Sequence, residues 1–211
     1  ASTQILLNSK SERHPNGLAN SSGALGHYLM DHNSGLGGLG VFNGMEDRYY
    51  YGNRPNNIYI PRFRNVTGQE QDFVRGYGYQ GAAFRMNWAT SYQAAGFGVA
   101  LKERLRQPGM WLMFLQGFGE TLPQYRNQLF LDSNKKDRFG IPQVAFDYQW
   151  HENERSMRKD VSAQAVDMLK AAGAMFTVAG DSIEDPGGAI HEMGTARMGA
   201  NPAESVLNAY N

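Results

Sequence analysis

The second half of the chain has short apolar runs separated by polar segments. Residues 110–117 are apolar almost throughout, and a run of this length predicts a buried strand. Residues 127–132 and 142–148 predict two further strands, and the polar segment 134–140 between them predicts a turn. Because these strands follow one another with short connections, we expect them to form an antiparallel meander.

A longer segment, residues 152–172, predicts an amphipathic helix. The residues at helical spacing on its apolar face are Met157, Val161, Met168 and Ala172. The residues expected mostly on its solvent face are Glu152, Glu154, Arg158, Lys159 and Asp160. Gly173 is expected to end this helix, and residues 174–179 predict a strand after it.

The first half of the chain is richer in glycine and asparagine, and its elements are harder to define. Residues 2–9 predict the end of a helix, residues 98–106 a short helix, and residues 58–60 a strand that Pro61 ends. Residues 26–32 predict a short ordered segment, and residues 33–57 predict long loops or short strands. The order of strands, helix and strand predicts an α+β fold, in which a mostly antiparallel sheet packs with helices.

Composition removes several classes of function. Lys and Arg together number 20, as do Asp and Glu, so no net charge favours a nucleic acid or an anionic membrane as partner. No apolar run approaches the roughly 18 residues of a membrane span. Cysteine is absent, which excludes disulfides and thiolate sites but leaves a soluble protein of cytoplasm or periplasm equally open. The 25 glycines, 11 tyrosines and 11 phenylalanines fit either a sugar-binding surface or a loop-rich domain.

Two glycine patterns match the dinucleotide fingerprint G-x-G-x-x-G, at residues 35–40 and 76–81. That fingerprint binds a pyrophosphate only between a strand and a helix N-terminus, and neither segment predicts this context. We therefore do not expect either to bind a nucleotide. Five polar or aromatic residues could contact a sugar, although residues of these types more often have structural roles. They are Arg75, Arg85, Asn87, Trp88 and Gln116.

The most distinctive segment is residues 191–199, with sequence His-Glu-Met-Gly-Thr-Ala-Arg-Met-Gly. Its first residues resemble a zinc-protease H-E-x-x-H motif, but Thr195 stands where the second histidine would be, so we expect no metal site. Gly194 and Gly199 allow a backbone path that bulkier residues cannot follow, and Thr195 adds a hydroxyl. The pattern indicates that His191 is held rigidly at the edge of a pocket.

This segment resembles the C-terminal active-site motif of the glucose–methanol–choline (GMC) flavoprotein oxidoreductases, His-x-x-Gly-Thr-x-x-Met-Gly. Residues 25–32 are similar to the family stretch Val-Gly-x-x-Leu-x-Asp-His, and residues 2–9 to the segment that closes the main part of its flavin domain. The branch that it most resembles is bacterial and acts on sugars, sugar acids and glycosides. The resemblance implies edge segments of an FAD-binding α/β domain at residues 1–32, a substrate-binding domain at 33–178, and a return to the flavin domain at 179–211.

By the same resemblance, His191 is the catalytic base that takes a hydroxyl proton while a hydride passes to FAD, and Thr195 contacts the cofactor. The antiparallel sheet would form the pocket wall that faces the flavin. The family's N-terminal FAD fingerprint and the segment with its second catalytic residue are absent. We therefore expect a fragment of a longer enzyme that neither holds FAD tightly nor turns over alone.

The sequence leaves two other functions open. A non-catalytic carbohydrate-binding or interaction module would use the Gly- and Tyr-rich loops, and His191 would then be structural. An NAD-dependent sugar dehydrogenase is disfavoured by the failed fingerprints. The sequence leaves the oxidised sugar and carbon, the electron acceptor and the oligomeric state open.

Overall fold

The computed structural model describes residues 1–45, 57–86, 95–107, 109–180 and 185–211 of the chain. Its contacts divide the chain into two compact units. Unit 1 comprises residues 1–32, 120–154 and 184–211, and unit 2 comprises residues 33–119 and 155–183. Residues 120–154 thus group with the two chain ends, although the sequence interpretation counts them in a substrate-binding domain. The assignment of these parts to flavin and substrate domains stays a prediction.

The described residues form three helices and seven strands. The helices are α1 (Ser2–Asn8), α2 (Gly98–Arg106) and α3 (Glu152–Ala171). The strands are β1 (Asn33–Phe42), β2 (Asn57–Ile60), β3 (Tyr77–Arg85), β4 (Trp111–Gly119), β5 (Gln128–Lys136), β6 (Pro142–Asp147) and β7 (Phe176–Ala179). Every strand pair is antiparallel, so the α+β class with a mostly antiparallel sheet is confirmed. No helix in these ranges is both long and apolar enough to cross a membrane.

Unit 2 is built on a five-stranded sheet with the order β2-β3-β4-β1-β7. The sequence predicts long loops or short strands after residue 32, and this prediction is wrong for the first ten of these residues. They form the single strand β1. Glycines hid the strand from the sequence pattern. The position of Gly38, for example, leaves room for α3, since a Cβ there would lie 3.2 Å from the Cβ of Ala165. Helix side chains therefore take the place of the missing strand side chains.

The predicted three-strand meander is wrong. Strand β4 pairs with β3 on one side and β1 on the other, within the five-stranded sheet. Strands β5 and β6 form a separate two-stranded sheet in unit 1. The apolar run of β4 reflects its central position between two neighbours, which sequence adjacency to β5 does not reveal.

Helix α3 covers one face of the unit 2 sheet. Its residues fully buried in that core, spaced four apart, are Met157, Val161, Ala165 and Leu169. Each large side chain buried this way contributes about 1.5–3 kcal/mol to stability. Ala172, which the pattern put on the same face, is exposed because the helix ends at Ala171 and Gly173 turns the chain in the left-handed region.

Two charged residues of α3 are buried, although the helical pattern placed them on its solvent face. The carboxylate of Glu154 accepts the backbone N–H groups of Leu122, at 3.0 Å, and His151, at 3.1 Å. The guanidinium of Arg158 donates to the backbone carbonyls of Gly35 and Gly180. Both side chains hydrogen-bond to backbone groups outside the helix, which a helical pattern cannot show.

Unit 1 brings together segments that lie far apart in the sequence. Helix α1 packs against β5 and β6, and isolated bridges join His27 to Gln128 and Met30 to Met193. Its buried apolar residues are Ala24, Leu25, Leu29, Tyr148 and Trp150. These contacts hold the segment before residue 32 beside the segment after residue 190.

Candidate active site

The backbone around His191 is fixed by a short antiparallel pairing. The N–H of Met30 donates to the carbonyl of Met193, and the N–H of Met193 donates to the carbonyl of Met30, both at 2.9 Å. This pairing aligns residues 30–32 with residues 191–193. As a result, His32 and His191 lie side by side although 159 residues separate them.

Asp31 anchors both histidines through one carboxylate oxygen. Its Oδ1 accepts the backbone N–H of His32 at 2.8 Å and the backbone N–H of His191 at 3.2 Å. The side chain is buried, with 4% of its surface exposed. Its other oxygen, Oδ2, is also buried and makes no hydrogen bond with any residue in the described ranges. One buried carboxylate therefore sets the position of both histidine backbones.

The backbone of Asp31 is held in turn by two hydroxyl groups. The hydroxyl of Thr121 donates to the Asp31 carbonyl at 2.8 Å, and the Asp31 N–H donates to the hydroxyl oxygen of Tyr148 at 3.2 Å. Burial raises the pKa of Tyr148, so this phenol stays protonated and can donate as well as accept. The support for the histidine pair is thus contributed by residues 120–154 of unit 1.

The two imidazole rings contact each other directly. The Nε2 atom of His32 lies 2.8 Å from the Nδ1 atom of His191, and the rings are nearly perpendicular, with centroids 4.9 Å apart. The His191 side chain is exposed, and its Nε2 atom has no hydrogen-bond partner in the described part of the chain. One ring nitrogen is therefore held within the protein, and the other is available to a ligand.

Gly194 is required where the motif passes the segment before Asp31. Its φ is +97°, in the left-handed region, and a Cβ at this position would overlap the backbone carbonyl oxygen of Tyr28. The backbone directly after Gly194 is fixed by Thr195, whose carbonyl accepts the N–H of Gly26 at 2.8 Å. The Thr195 hydroxyl shares a hydrogen bond of 2.8 Å with the hydroxyl of Thr3 in α1. The three segments that resemble the family therefore meet in one unit.

The sequence pattern indicates roles for His191 and Thr195 but for none of the residues that support them. Asp31 and His32 stood in a family-like stretch, and that stretch was the only signal for them. Tyr148 and Thr121 gave no signal, because their contacts with Asp31 span 117 and 90 residues. Such pairings depend on the fold and not on local pattern.

The two glycine patterns lie within or beside strands of unit 2. Residues 35–40 are part of β1, and residues 76–81 lead into and form part of β3. Neither stands at the turn from a strand into a helix, which a pyrophosphate site of this type needs. A Cβ at Gly37 would lie 2.9 Å from the carbonyl oxygen of Leu115, so close packing explains at least this glycine.

The candidate sugar contacts have different environments. Arg85 is buried and donates to the carbonyl of Gly109 at 2.7 Å, which is a structural role, whereas Arg75 is exposed. Gln116 lines an open depression of about 320 Å³ together with Tyr59, Gln80 and Phe114. Asn87 and Trp88 lie outside the described residues.

The C-terminal part of the chain is similar to a known protein family. Residues 123–211 match the sequence model of the GMC oxidoreductase family. This segment contains Tyr148, His191 and Thr195. Residues 123–211 therefore match this family, and the family resemblance predicted from the sequence is confirmed.

Individual relatives extend the similarity to nearly the whole chain. The chain is 33% identical over 214 residues to 2-methyl-1,2-propanediol dehydrogenase of Mycolicibacterium austroafricanum, covering 98% of this chain and 38% of that protein. It is 27% identical over 216 residues to the fructose dehydrogenase large subunit of Gluconobacter japonicus, covering 98% and 37%. A pyranose 2-oxidase of Lyophyllum shimeji is 27% identical over 94 residues, 44% of this chain and 15% of that protein. The chain thus spans less than two fifths of the length of these relatives.

Proposed function

We propose that this chain is part of a longer FAD-dependent enzyme that oxidises a hydroxyl group of a sugar, sugar acid or glycoside, with His191 as general base. The observation that carries the proposal is the state of the His191 ring. Its Nδ1 atom is held by His32 at 2.8 Å, while its Nε2 atom is exposed and has no partner among the described residues. A ring fixed at one nitrogen and open at the other suits proton transfer to or from a ligand.

In the proposed reaction the Nε2 atom of His191 accepts the proton of the substrate hydroxyl, which leaves the alkoxide electron pair to form the carbonyl. Bound FAD supplies the acceptor for the hydride that leaves the same carbon. The protein holds the base in place through Asp31, which fixes the backbone of His191 and limits its movement relative to the substrate. Such positioning lowers the barrier without any further chemical group.

The described residues fit only part of this cofactor. The exposed ring nitrogen of His191 suits the part of the cofactor at which the hydride would be accepted. The Thr195 hydroxyl already shares a hydrogen bond with Thr3 and can make one more. Neither glycine pattern offers a phosphate site, since both lie within or beside strands. We therefore propose that the nucleotide part of FAD is bound by residues beyond these 211.

The names of the relatives guide the choice of substrates to test. They mention a branched diol, fructose and pyranose, which are small molecules with more than one oxygen-bearing carbon. We propose a substrate of this chemistry, with the hydroxyl-bearing carbon as the hydride donor. The test panel should therefore include sugars, sugar acids, glycosides and one short diol.

The proposal is tested by anaerobic titration of the full-length gene product, with flavin absorbance as the readout. We expect a member of the panel to bleach the flavin. We also expect His191→Ala to slow this step by about 10²–10⁴-fold, the usual contribution of a general base. His14→Ala is a matched control, because it removes another histidine of unit 1 whose ring is not in contact with His191.

Two results would contradict the proposal in different ways. Bleaching that proceeds equally in wild type and His191→Ala would assign proton transfer to another group. Absence of both bound flavin and bleaching, together with sugar binding, would favour the carbohydrate-binding module.

A further inference from the structure

The ring contact between His32 and His191 has a direction that the proposed chemistry requires. Neutral imidazole carries its hydrogen on one nitrogen only, and the other nitrogen is an acceptor. For Nε2 of His191 to accept a proton, the hydrogen must be on Nδ1. Nδ1 lies 2.8 Å from Nε2 of His32, so the Nε2 atom of His32 must be the acceptor in that bond. The opposite direction would leave a hydrogen on Nε2 of His191 and block it as a base.

We propose that His32 is a positioning residue that holds His191 in the tautomer competent to act as base, by accepting a hydrogen bond from its Nδ1–H. This inference rests on the proposed function and adds the residue that sets the tautomer of the base. His32 does so without touching the substrate.

The surroundings of the pair are built to maintain this contact. The Oδ1 atom of Asp31 receives the backbone N–H of both histidines, so their main chains are fixed relative to each other. The rings meet at 80°, which directs the nitrogen of one ring toward the edge of the other. Since Asp31 is buried and is held by Thr121 and Tyr148, a buried side chain sets the backbone positions of the two histidines.

The same bond stabilises the charge that forms during the reaction. When Nε2 of His191 takes the substrate proton, the ring becomes a cation that carries a hydrogen on each nitrogen. Its Nδ1–H bond to His32 then has a charged donor, and such bonds are roughly twice as strong as neutral ones. The contact with His32 therefore favours the state after proton transfer over the state before it.

The test uses the full-length, FAD-loaded protein and two substitutions of His32. His32→Phe keeps a planar ring for the edge contact but removes the acceptor nitrogen. His32→Gln removes the ring but offers a carbonyl oxygen as acceptor. We expect His32→Phe to lower kcat by about 10–100-fold, as for loss of the orienting partner of a functional histidine. KM should not change, and His32→Gln should restore most of the rate.

A second measurement reports the tautomer directly. In protein labelled with ¹⁵N-histidine, the ring nitrogen shifts of His191 distinguish the protonated from the unprotonated nitrogen. We expect hydrogen on Nδ1 in the wild type and in His32→Gln, and a shift of population toward Nε2 in His32→Phe. His14→Phe is the control, because it removes an imidazole from the same unit without touching this pair.

Wild-type protein with the hydrogen on Nε2 of His191 would overturn the inference without the need for any variant. Wild-type kcat in His32→Phe would overturn it as well. Failure of the proposed function has a separate signature, in which His191→Ala itself retains flavin reduction. If His191→Ala is inactive while His32→Phe matches wild type, only the role of His32 is rejected.

Discussion

Val161 of α3 packs directly against the backbone of Gly117 in β4. Val161 is completely buried, and a Cβ added at Gly117 would overlap its side chain. Gly119 lies two residues further along β4, and a Cβ added there would overlap the side chain of Met157. The glycines of the central strand therefore set the distance at which the helix covers the sheet, and helix side chains fill the space above them.

We expect Gly117→Ala to lower the free energy of unfolding of the 211-residue chain by about 1–3 kcal/mol, the usual cost of overpacking a core. The β-branched Val161 cannot turn its methyl groups away without meeting other core residues. Urea unfolding followed by circular dichroism measures the change. Gly68→Ala is the matched control, since Gly68 is exposed and a Cβ there meets nothing within 4 Å. Equal stability of the two variants would show that the helix can move without cost.

Buried tyrosines give unit 2 a predictable response to alkaline pH. The hydroxyl of Tyr77 donates to the carboxylate of Asp160, and that of Tyr79 donates to the carbonyl of Val161. Burial raises the pKa of both phenols well above the ordinary value of about 10. Above about pH 10 the phenols lose their protons in the unfolded chain but keep them in the folded chain. The folded state therefore becomes progressively less favoured as the pH rises.

The free energy of unfolding should therefore fall as the pH rises above about 10, with a contribution of about 1.4 kcal/mol per pH unit from each such phenol. Tyr79→Phe should be less stable near neutral pH, because it loses a hydrogen bond, yet its alkaline decline should be shallower. Urea midpoints across this range measure both effects. Tyr59→Phe, at a tyrosine that is 72% exposed, should decline as steeply as wild type. An identical slope in Tyr79→Phe would exclude this phenol as a cause.

The sequence predicted most elements because their patterns are local. Helix α2 has the predicted bounds, and α3 ends within one residue of its predicted end at residue 172. Strand β1 was missed because Gly37, Gly38 and Gly40 provide no side chain to show the alternation. The pairing of β4 with β1 and β3 was missed because it depends on contacts across tens of residues.

The candidate site shows the same division between local and distant information. His191 could be singled out because Gly194 and Thr195 follow it at fixed spacing. The contact of its ring with His32 could not be predicted, since it requires the Met30–Met193 pairing to align two distant segments. Site residues that act through backbone hydrogen bonds, such as Asp31, are visible only once that alignment is known.

Isolated, the 211-residue chain should not retain FAD. Neither glycine pattern forms a strand-to-helix turn, so neither of these segments provides a cradle for the pyrophosphate. We expect gel filtration after mixing with FAD to separate the protein from the flavin absorbance, whereas the full-length product should keep its flavin. A chain that elutes with one FAD per molecule would contradict this expectation and require a different nucleotide site.

Asp31 should tolerate the loss of its charge better than the loss of its acceptor. Only Oδ1 accepts hydrogen bonds, while the buried Oδ2 has no partner in the described ranges. Asp31→Asn keeps one carbonyl oxygen for the N–H groups of His32 and His191, so most activity and stability should remain. Asp31→Leu leaves both N–H groups without an acceptor, at about 1–3 kcal/mol each, and should lower both.

Thermal unfolding and kcat of the full-length protein distinguish these two Asp31 variants. Equal losses in Asp31→Asn and Asp31→Leu would mean that the negative charge matters more than the two hydrogen bonds. In that case electrostatic attraction to the histidine pair would replace backbone anchoring as the role of Asp31.

Gly194 offers the sharpest test of how the motif holds His191. Gly194→Ala combines two costs, a left-handed φ of +97° and overlap of the new Cβ with the carbonyl oxygen of Tyr28. Gly187→Ala carries only the first, because its φ is +77° but its nearest neighbour, a ring atom of Tyr148, lies at an ordinary 3.6 Å. The left-handed conformation alone costs about 1–2 kcal/mol. The difference between the variants therefore isolates the close approach at Tyr28.

To relieve that overlap, the chain must separate the two segments that the Met30–Met193 pairing joins. His191 would then move relative to Asp31 and His32, and a shift of about 1 Å at a reacting group can cost about 10²-fold in rate. We expect Gly194→Ala to lower kcat by this order, while Gly187→Ala keeps near wild-type kcat at reduced thermal stability. Equal kcat in both variants would mean that the motif tolerates displacement, and the rigid placement of His191 would have to be abandoned.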